Sequence, residues 1–183
     1  TRLLTVTGVQ TCALPILNGK LIIHHGPQYR VMTNSPSYDE QLAIDTYWKD
    51  VGGLKFLPGT ARSADRFARI SWNLNAAPKE KDQRLATATT FSLIRAISVP
   101  LGIADPERPN IASTVWRTVS NSTQKLYYFE SSYNPAIFWV NLAKFDADSS
   151  GKALKLDLSE RPMLSGEVSD KFIPAEPFKF IAP

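Results

Sequence analysis

Cysteine occurs once in this chain, at Cys12, so no disulfide can close within it. Histidine occurs twice, at the adjacent positions His24 and His25. Neighbours on a strand point to opposite faces, and the flanking sequence offers no further ligands, so no metal site and no cofactor is expected. No apolar run approaches the ~20 residues that span a bilayer, which leaves no membrane segment to assign. No block of one charge is present either. The net charge is +4, and Lys79-Glu80-Lys81-Asp82 mixes both signs. Nucleic-acid surfaces need a basic stripe interleaved with stacking aromatics, so that partner class is set aside.

What remains is ordinary globular material. The chain has 183 residues, 43% hydrophobic and 21% charged, enough for one domain with a sizeable core. It opens on Thr1 rather than Met, which reads as a truncated or processed end. Residues 1–16 hold no sustained period, with Gly8 and Pro15 interrupting, and they lack the shape of a secretory leader. The string VTGVQTCALPI, Val6 to Ile16, coincides with the in-frame translation of a common sequencing-library adapter. Thr1 to Ile16 is therefore expected to be a non-native tract, with native protein beginning near Leu17 and running to Pro183.

Lys20 to His25 and Tyr29 to Thr33 alternate as strands do. Ser37 and Glu40 make a capping box for a short helix carrying Ile44, Tyr47 and Trp48. Leu57-Pro58-Gly59-Thr60 is turn chemistry, since Pro fixes one backbone angle and Gly frees the next. It leads into a helix with Ser63 as expected N-cap and Phe67, Ile70 and Leu74 on one face. Arg62, Arg66 and Arg69 share another face of that helix, where guanidinium forks could meet carboxylates or oxyanions, or simply water. Pro78 ends it. Leu85, Ala88, Phe91, Ile94 and Ile97 space a second amphipathic helix, closed before Pro100. Thr114 to Val119, Lys125 to Glu130 and Ala136 to Leu142 then read as three strands of an antiparallel meander. Asn121-Ser122-Thr123 also fits a glycosylation acceptor, but as a hairpin turn it needs no such role. Helices grouped between strand sets predict an α+β fold with an antiparallel sheet.

VMTNSPSYDEQL (from Val31), GGLKFLPGTARSADRFARISW (from Gly52), SLIRAISVPLGIADP (from Ser92) and the long strand-rich run from Ser113 to Leu142 resemble the choloylglycine hydrolase family. That family holds penicillin V acylases and conjugated bile salt hydrolases, which cleave linear amides. The resemblance covers roughly residues 17 to 145 and is to the C-terminal half of such an enzyme. It implies part of a four-layer αββα sandwich, the N-terminal-nucleophile hydrolase fold, acting on a small-molecule amide substrate. For the complete protein an assembly of identical subunits stays open.

In that family the thiol of an N-terminal Cys attacks the amide carbonyl, with its own α-amine as base. Two positions carry over. Asn34, in TNSP, matches the Asn that supports the tetrahedral intermediate, and Arg66, in SADRF, matches the Arg beside the nucleophile. Cys12 does not match. It stands only 22 positions before Asn34 (34 − 12 = 22), and its neighbours do not resemble the family's first strand. The chain is thus expected to lack its nucleophile and to be inactive alone.

A non-catalytic ligand- or calcium-binding module is the other reading. Asp146, Asp148, Ser150, Gly151 and Asp157 follow most of a calcium-loop pattern. The preceding Ile137 to Leu142 reads as strand where such a loop needs a helix, so a solvated loop is expected.

Overall fold

The computed structural model describes residues 16–17, 20–24, 26–51, 56–104, 106–107, 113–145 and 153–177. The chain divides into two compact units, Thr1–Thr114 and Val115–Pro183.

In the first unit a two-residue ladder pairs β1 (Ile16–Leu17) with β2 (Lys20–Leu21), antiparallel. The expected adapter tract lies outside the described residues up to position 15, as do His25 and the Gly-Gly part of the following loop, 52–55. Tyr29 to Thr33 is not a strand. Tyr29 and Arg30 donate to Gly26 and Gln28, so the segment begins as a turn, which Gly26 enters at φ +144. Among the described residues no strand lies alongside the rest of it, and β-propensity without a ladder partner does not make a strand.

Three helices follow, α1 (Tyr38–Val51), α2 (Ser63–Ala76) and α3 (Gln83–Arg95), with α1 packed on α2 and α2 on α3. The capping box of α1 forms in its side-chain arm. Glu40 Oε2 accepts from the Ser37 backbone N–H at 2.9 Å and from the Ser37 hydroxyl at 2.6 Å, which lowers the Glu40 pKa. The residues of α1 that bury most completely are polar, Gln41 and Asp45, while Tyr47 is exposed. Asp45 is compensated by Lys49, 2.8 Å away one turn on.

In α2 the buried face holds Phe67 and Ala68, with Ile70 and Leu74 half-buried. Its last turn closes with Ala77 donating to Asn73 before Pro78. Helix α3 is N-capped by Asp82, which accepts from Arg84 and Leu85 amides at 2.7 and 3.1 Å. The buried side of α3 differs from the expected one. Ala86, Thr87, Thr90 and Phe91 are inside, and Leu85 and Ala88 are exposed. The two threonines can be buried because each hydroxyl donates one turn back, to Gln83 and Ala86 carbonyls at 2.8 and 2.9 Å. Apolar residues alone tilt the face toward Leu85, whereas the buried threonines shift it.

The second unit is built on the expected meander. β3 (Trp116–Asn121), β4 (Leu126–Ser131) and β5 (Ile137–Asn141) pair antiparallel in sequence. A fourth strand, β7 (Gly166–Glu167), joins β5 in parallel. β6 (Ala153–Lys155) and β8 (Ile173–Ala175) form a separate antiparallel pair. Alternation along β5 puts Phe138 and Val140 inside with Val168, packed by Phe129, Phe145, Leu156, Leu158, Leu164 and Phe172. Arg117 and Glu130 stand opposite one another in the β3–β4 register and form an ion pair at 3.3 Å. At the β3–β4 turn, Asn121 is 1% exposed and binds Gln124 twice, its oxygen accepting from the Gln124 amide and its nitrogen donating to Oε1, each at 3.0 Å. The Asn-Ser-Thr stretch thus forms the expected hairpin turn.

Candidate active site

Asn34 lies on the turn between the segment leading from Tyr29 and helix α1, followed by a cis Ser35–Pro36 peptide. Arg66 lies in the first turn of α2. The fold brings them together. Arg66 Nη2 donates to Asn34 Oδ1 at 2.8 Å, and Arg66 Nε donates to the Ala61 carbonyl at 3.1 Å.

This contact fixes the orientation of the asparagine. A guanidinium has only donors, so the amide atom facing it must be the oxygen. The Asn34 Nδ2 end is thereby turned away from Arg66, and among the described residues it makes no hydrogen bond. A neutral donor pair held at a rigid junction is suited to an anionic oxygen. Arg66 itself faces no carboxylate among the described residues, and partial burial lowers its pKa. It stays protonated at any ordinary pH, so it is a partly desolvated positive charge that no described carboxylate offsets.

The turn carrying Asn34 is tied on both flanks. Gln41 Nε2, on α1, donates to Thr33 Oγ1 at 3.3 Å and to the Ser35 carbonyl. The Ser35 backbone N–H donates to Ser63 Oγ at 3.0 Å. Ser63 therefore is not the N-cap of α2. That position belongs to Arg62, which makes no side-chain cap bond, and the Ser63 hydroxyl is spent on the neighbouring turn instead. Aromatic rings brace the same region. Tyr38 meets His24 and Tyr29, each at 4.9 Å between centroids, and Phe67 at 6.0 Å. Burial, with Tyr29 and nearby carboxylates adding to it, raises the Tyr38 pKa and keeps its phenol neutral.

The three arginines of α2 do three different things, not one. Arg62 is exposed. Arg69 Nη1 donates to Pro58 and Thr60 carbonyls at 2.6 and 2.8 Å, and its Nε to Ala96 at 3.3 Å. It fastens the Pro-Gly loop and the end of α3 onto α2, a task that helical spacing did not reveal. Gln41 was likewise missed, because a glutamine inside a helix carries no distinguishing pattern.

The calcium-loop pattern falls mostly outside the described residues, at 146–152. Of Asp157, Oδ1 accepts from the Ser159 amide and hydroxyl at 3.0 and 2.6 Å, and Oδ2 from Lys155 at 3.2 Å. These bonds, the Ser159 hydroxyl first, lower its pKa to about 2. Among the described residues no group of three His, Cys, Asp or Glu could hold a metal, and no helix is long and apolar enough to cross a membrane.

Comparison with solved structures places the architecture. The penicillin V acylase from Agrobacterium tumefaciens superposes with a TM-score of 0.84 at 47% identity, over 91% of this chain and 54% of that one. A variant of the conjugated bile acid hydrolase from Clostridium perfringens shares the fold alone, with a TM-score of 0.57 at 21% identity, over 72% and 46% of the two chains. The fold is thus α+β, of the N-terminal-nucleophile hydrolase class. A family profile described as linear amide C–N hydrolases, choloylglycine hydrolase family, matches residues 10–155. The chain belongs to this family. It is 47% identical over 180 residues to the penicillin V acylase of Pectobacterium atrosepticum, covering 90% of this chain and 48% of that protein. To the bile salt hydrolase/transferase of Bifidobacterium longum it is 23% identical over 149 residues, 70% of this chain and 47% of that one. The chain spans about half the length of the curated relatives it matches.

Proposed function

We propose that this chain carries the Asn34–Arg66 part of the active site of a linear amide C–N hydrolase, with substrates of the penicillin V acylase kind. The observation that carries the reading is the 2.8 Å bond from Arg66 Nη2 to Asn34 Oδ1. By presenting Asn34 Nδ2 as a donor, it provides for the oxyanion formed when a nucleophile adds to an amide carbonyl. Arg66, a positive charge with no carboxylate beside it among the described residues, favours the thiolate form of a cysteine nucleophile placed near it. The higher identity to a penicillin V acylase than to a bile salt hydrolase supports the substrate assignment.

Cys12, the chain's one cysteine, is not the nucleophile in this reading, because its setting is unlike the family's. The chain by itself is then inactive, since positioning groups do not start a reaction that lacks its attacking atom. The test is a chimera in which this chain, from Leu17, replaces the matching half of the Pectobacterium atrosepticum acylase. Hydrolysis of penicillin V by the chimera and none by the chain alone is the expected result. Hydrolysis by the chain alone, abolished in Cys12→Ser, overturns it.

A further inference from the structure

The geometry points to Gln41 as the residue that positions Asn34, an inference that rests on the function proposed above. Gln41 is 2% exposed, and its side chain is aimed along the TNSP turn, not along its own helix. One nitrogen, Nε2, donates to Thr33 Oγ1 and to the Ser35 carbonyl, the residues immediately before and after Asn34. Ser63 Oγ adds a bond from the other helix, accepting from Ser35 N–H. Asn34 is thus held at four points: Thr33 and Ser35 by α1, Ser35 by α2, and its own Oδ1 by Arg66.

The other end of the Gln41 amide supports this role. Among the described residues Gln41 Oε1 is buried without a hydrogen-bond partner. An unpaired buried oxygen costs stability, and an apolar side chain of similar length would avoid that cost. Helix α1 has no need of an amide here, whereas the turn does. Misplacing a catalytic group by about 1 Å can cost about 100-fold in rate, so a clamp on both neighbours of an oxyanion donor has a kinetic effect even though it never touches substrate.

The variant is Gln41→Met, which keeps length and removes the donor. In the 183-residue chain, NMR relaxation of the Asn34 side-chain amide is expected to show loss of order relative to wild type. In the acylase chimera, kcat is expected to fall by about 10- to 100-fold with KM little changed, and the loss should vanish in an Asn34→Ala background, as it must if Gln41 acts through Asn34. Should Gln41→Met fail to fold, Ser63→Ala removes the second tie and is read the same way. Unchanged Asn34 order, or a kcat loss that persists in full alongside Asn34→Ala, overturns the inference. If Asn34→Ala itself leaves kcat unchanged, the proposed function fails, and the NMR measurement still decides the role of Gln41.

Discussion

Arg66 Nη2 lies 2.8 Å from Asn34 Oδ1, across 32 positions of sequence. Each residue limits what the other can do, and the pair can be taken apart by substitution. In the acylase chimera, Asn34→Ala should lower kcat by about 100-fold or more, the scale of one lost oxyanion donor. Asn34→Asp retains an acceptor for Arg66 but has no N–H, and should be at least as damaging. Arg66→Lys should also lower kcat, because one ammonium does not reproduce a fork that holds both Ala61 O and Asn34 Oδ1. Steady-state kinetics on penicillin V check all three.

Arg69→Lys should destabilise the chain by about 1–3 kcal/mol, since charged hydrogen bonds to three carbonyls cannot be matched by a single ammonium. Arg62→Lys, at an exposed position without a cap bond, should stay within about 0.5 kcal/mol of wild type. Urea unfolding distinguishes them. Equal values would return Arg69 to the solvated face that its spacing suggested.

Asp157 gives a pH signature. Its folded pKa is lowered from 3.8 to about 2, so its contribution is present above the unfolded value and is lost as pH falls through about 2. The Tm difference between wild type and Asp157→Asn should be largest above about pH 4 and shrink as pH falls toward about 2. Calcium should leave Tm unchanged at any pH, whereas a ligand at a hundredfold excess over its Kd would add about 2.7 kcal/mol.

Removal of residues 1–16, so that the chain begins at Leu17, tests whether the N-terminal tract is native. A stretch derived from an adapter has not been selected to pack, so the shortened chain should melt at the same temperature as the full one. A fall of several degrees by calorimetry would mean that the tract packs as protein does.

The elements that sequence anticipated best were those whose apolar residues lie on a period. The β3–β4–β5 meander and helix α2 came out near their expected bounds because Phe138, Val140, Phe67 and Leu74 repeat at strand and helix spacing. Two short motifs single out Asn34 and Arg66, and the fold brings these two side chains into contact. What escaped was decided by hydrogen bonds between distant segments. Nothing in the spacing of Arg62, Arg66 and Arg69 states that one meets an amide and another three carbonyls. Ser63 has the chemistry of an N-cap, and only the approach of Ser35 diverts it. The strands β6, β7 and β8 are two or three residues long, too short for any alternation to register.

The buried Asn121 bears on how the protein can be made. Its amide nitrogen, the atom to which an oligosaccharide would be joined, is occupied by Gln124 inside the hairpin. In a secretory eukaryotic host, closure of this turn buries the atom that sugar transfer needs exposed. Molecules that fold first keep the nitrogen out of reach, and those modified first must seat a sugar on a residue that is 1% exposed in the folded hairpin. Bacterial cytoplasmic expression, or a Thr123→Ala change that removes the acceptor signal while leaving Asn121 in place, avoids that division of the product.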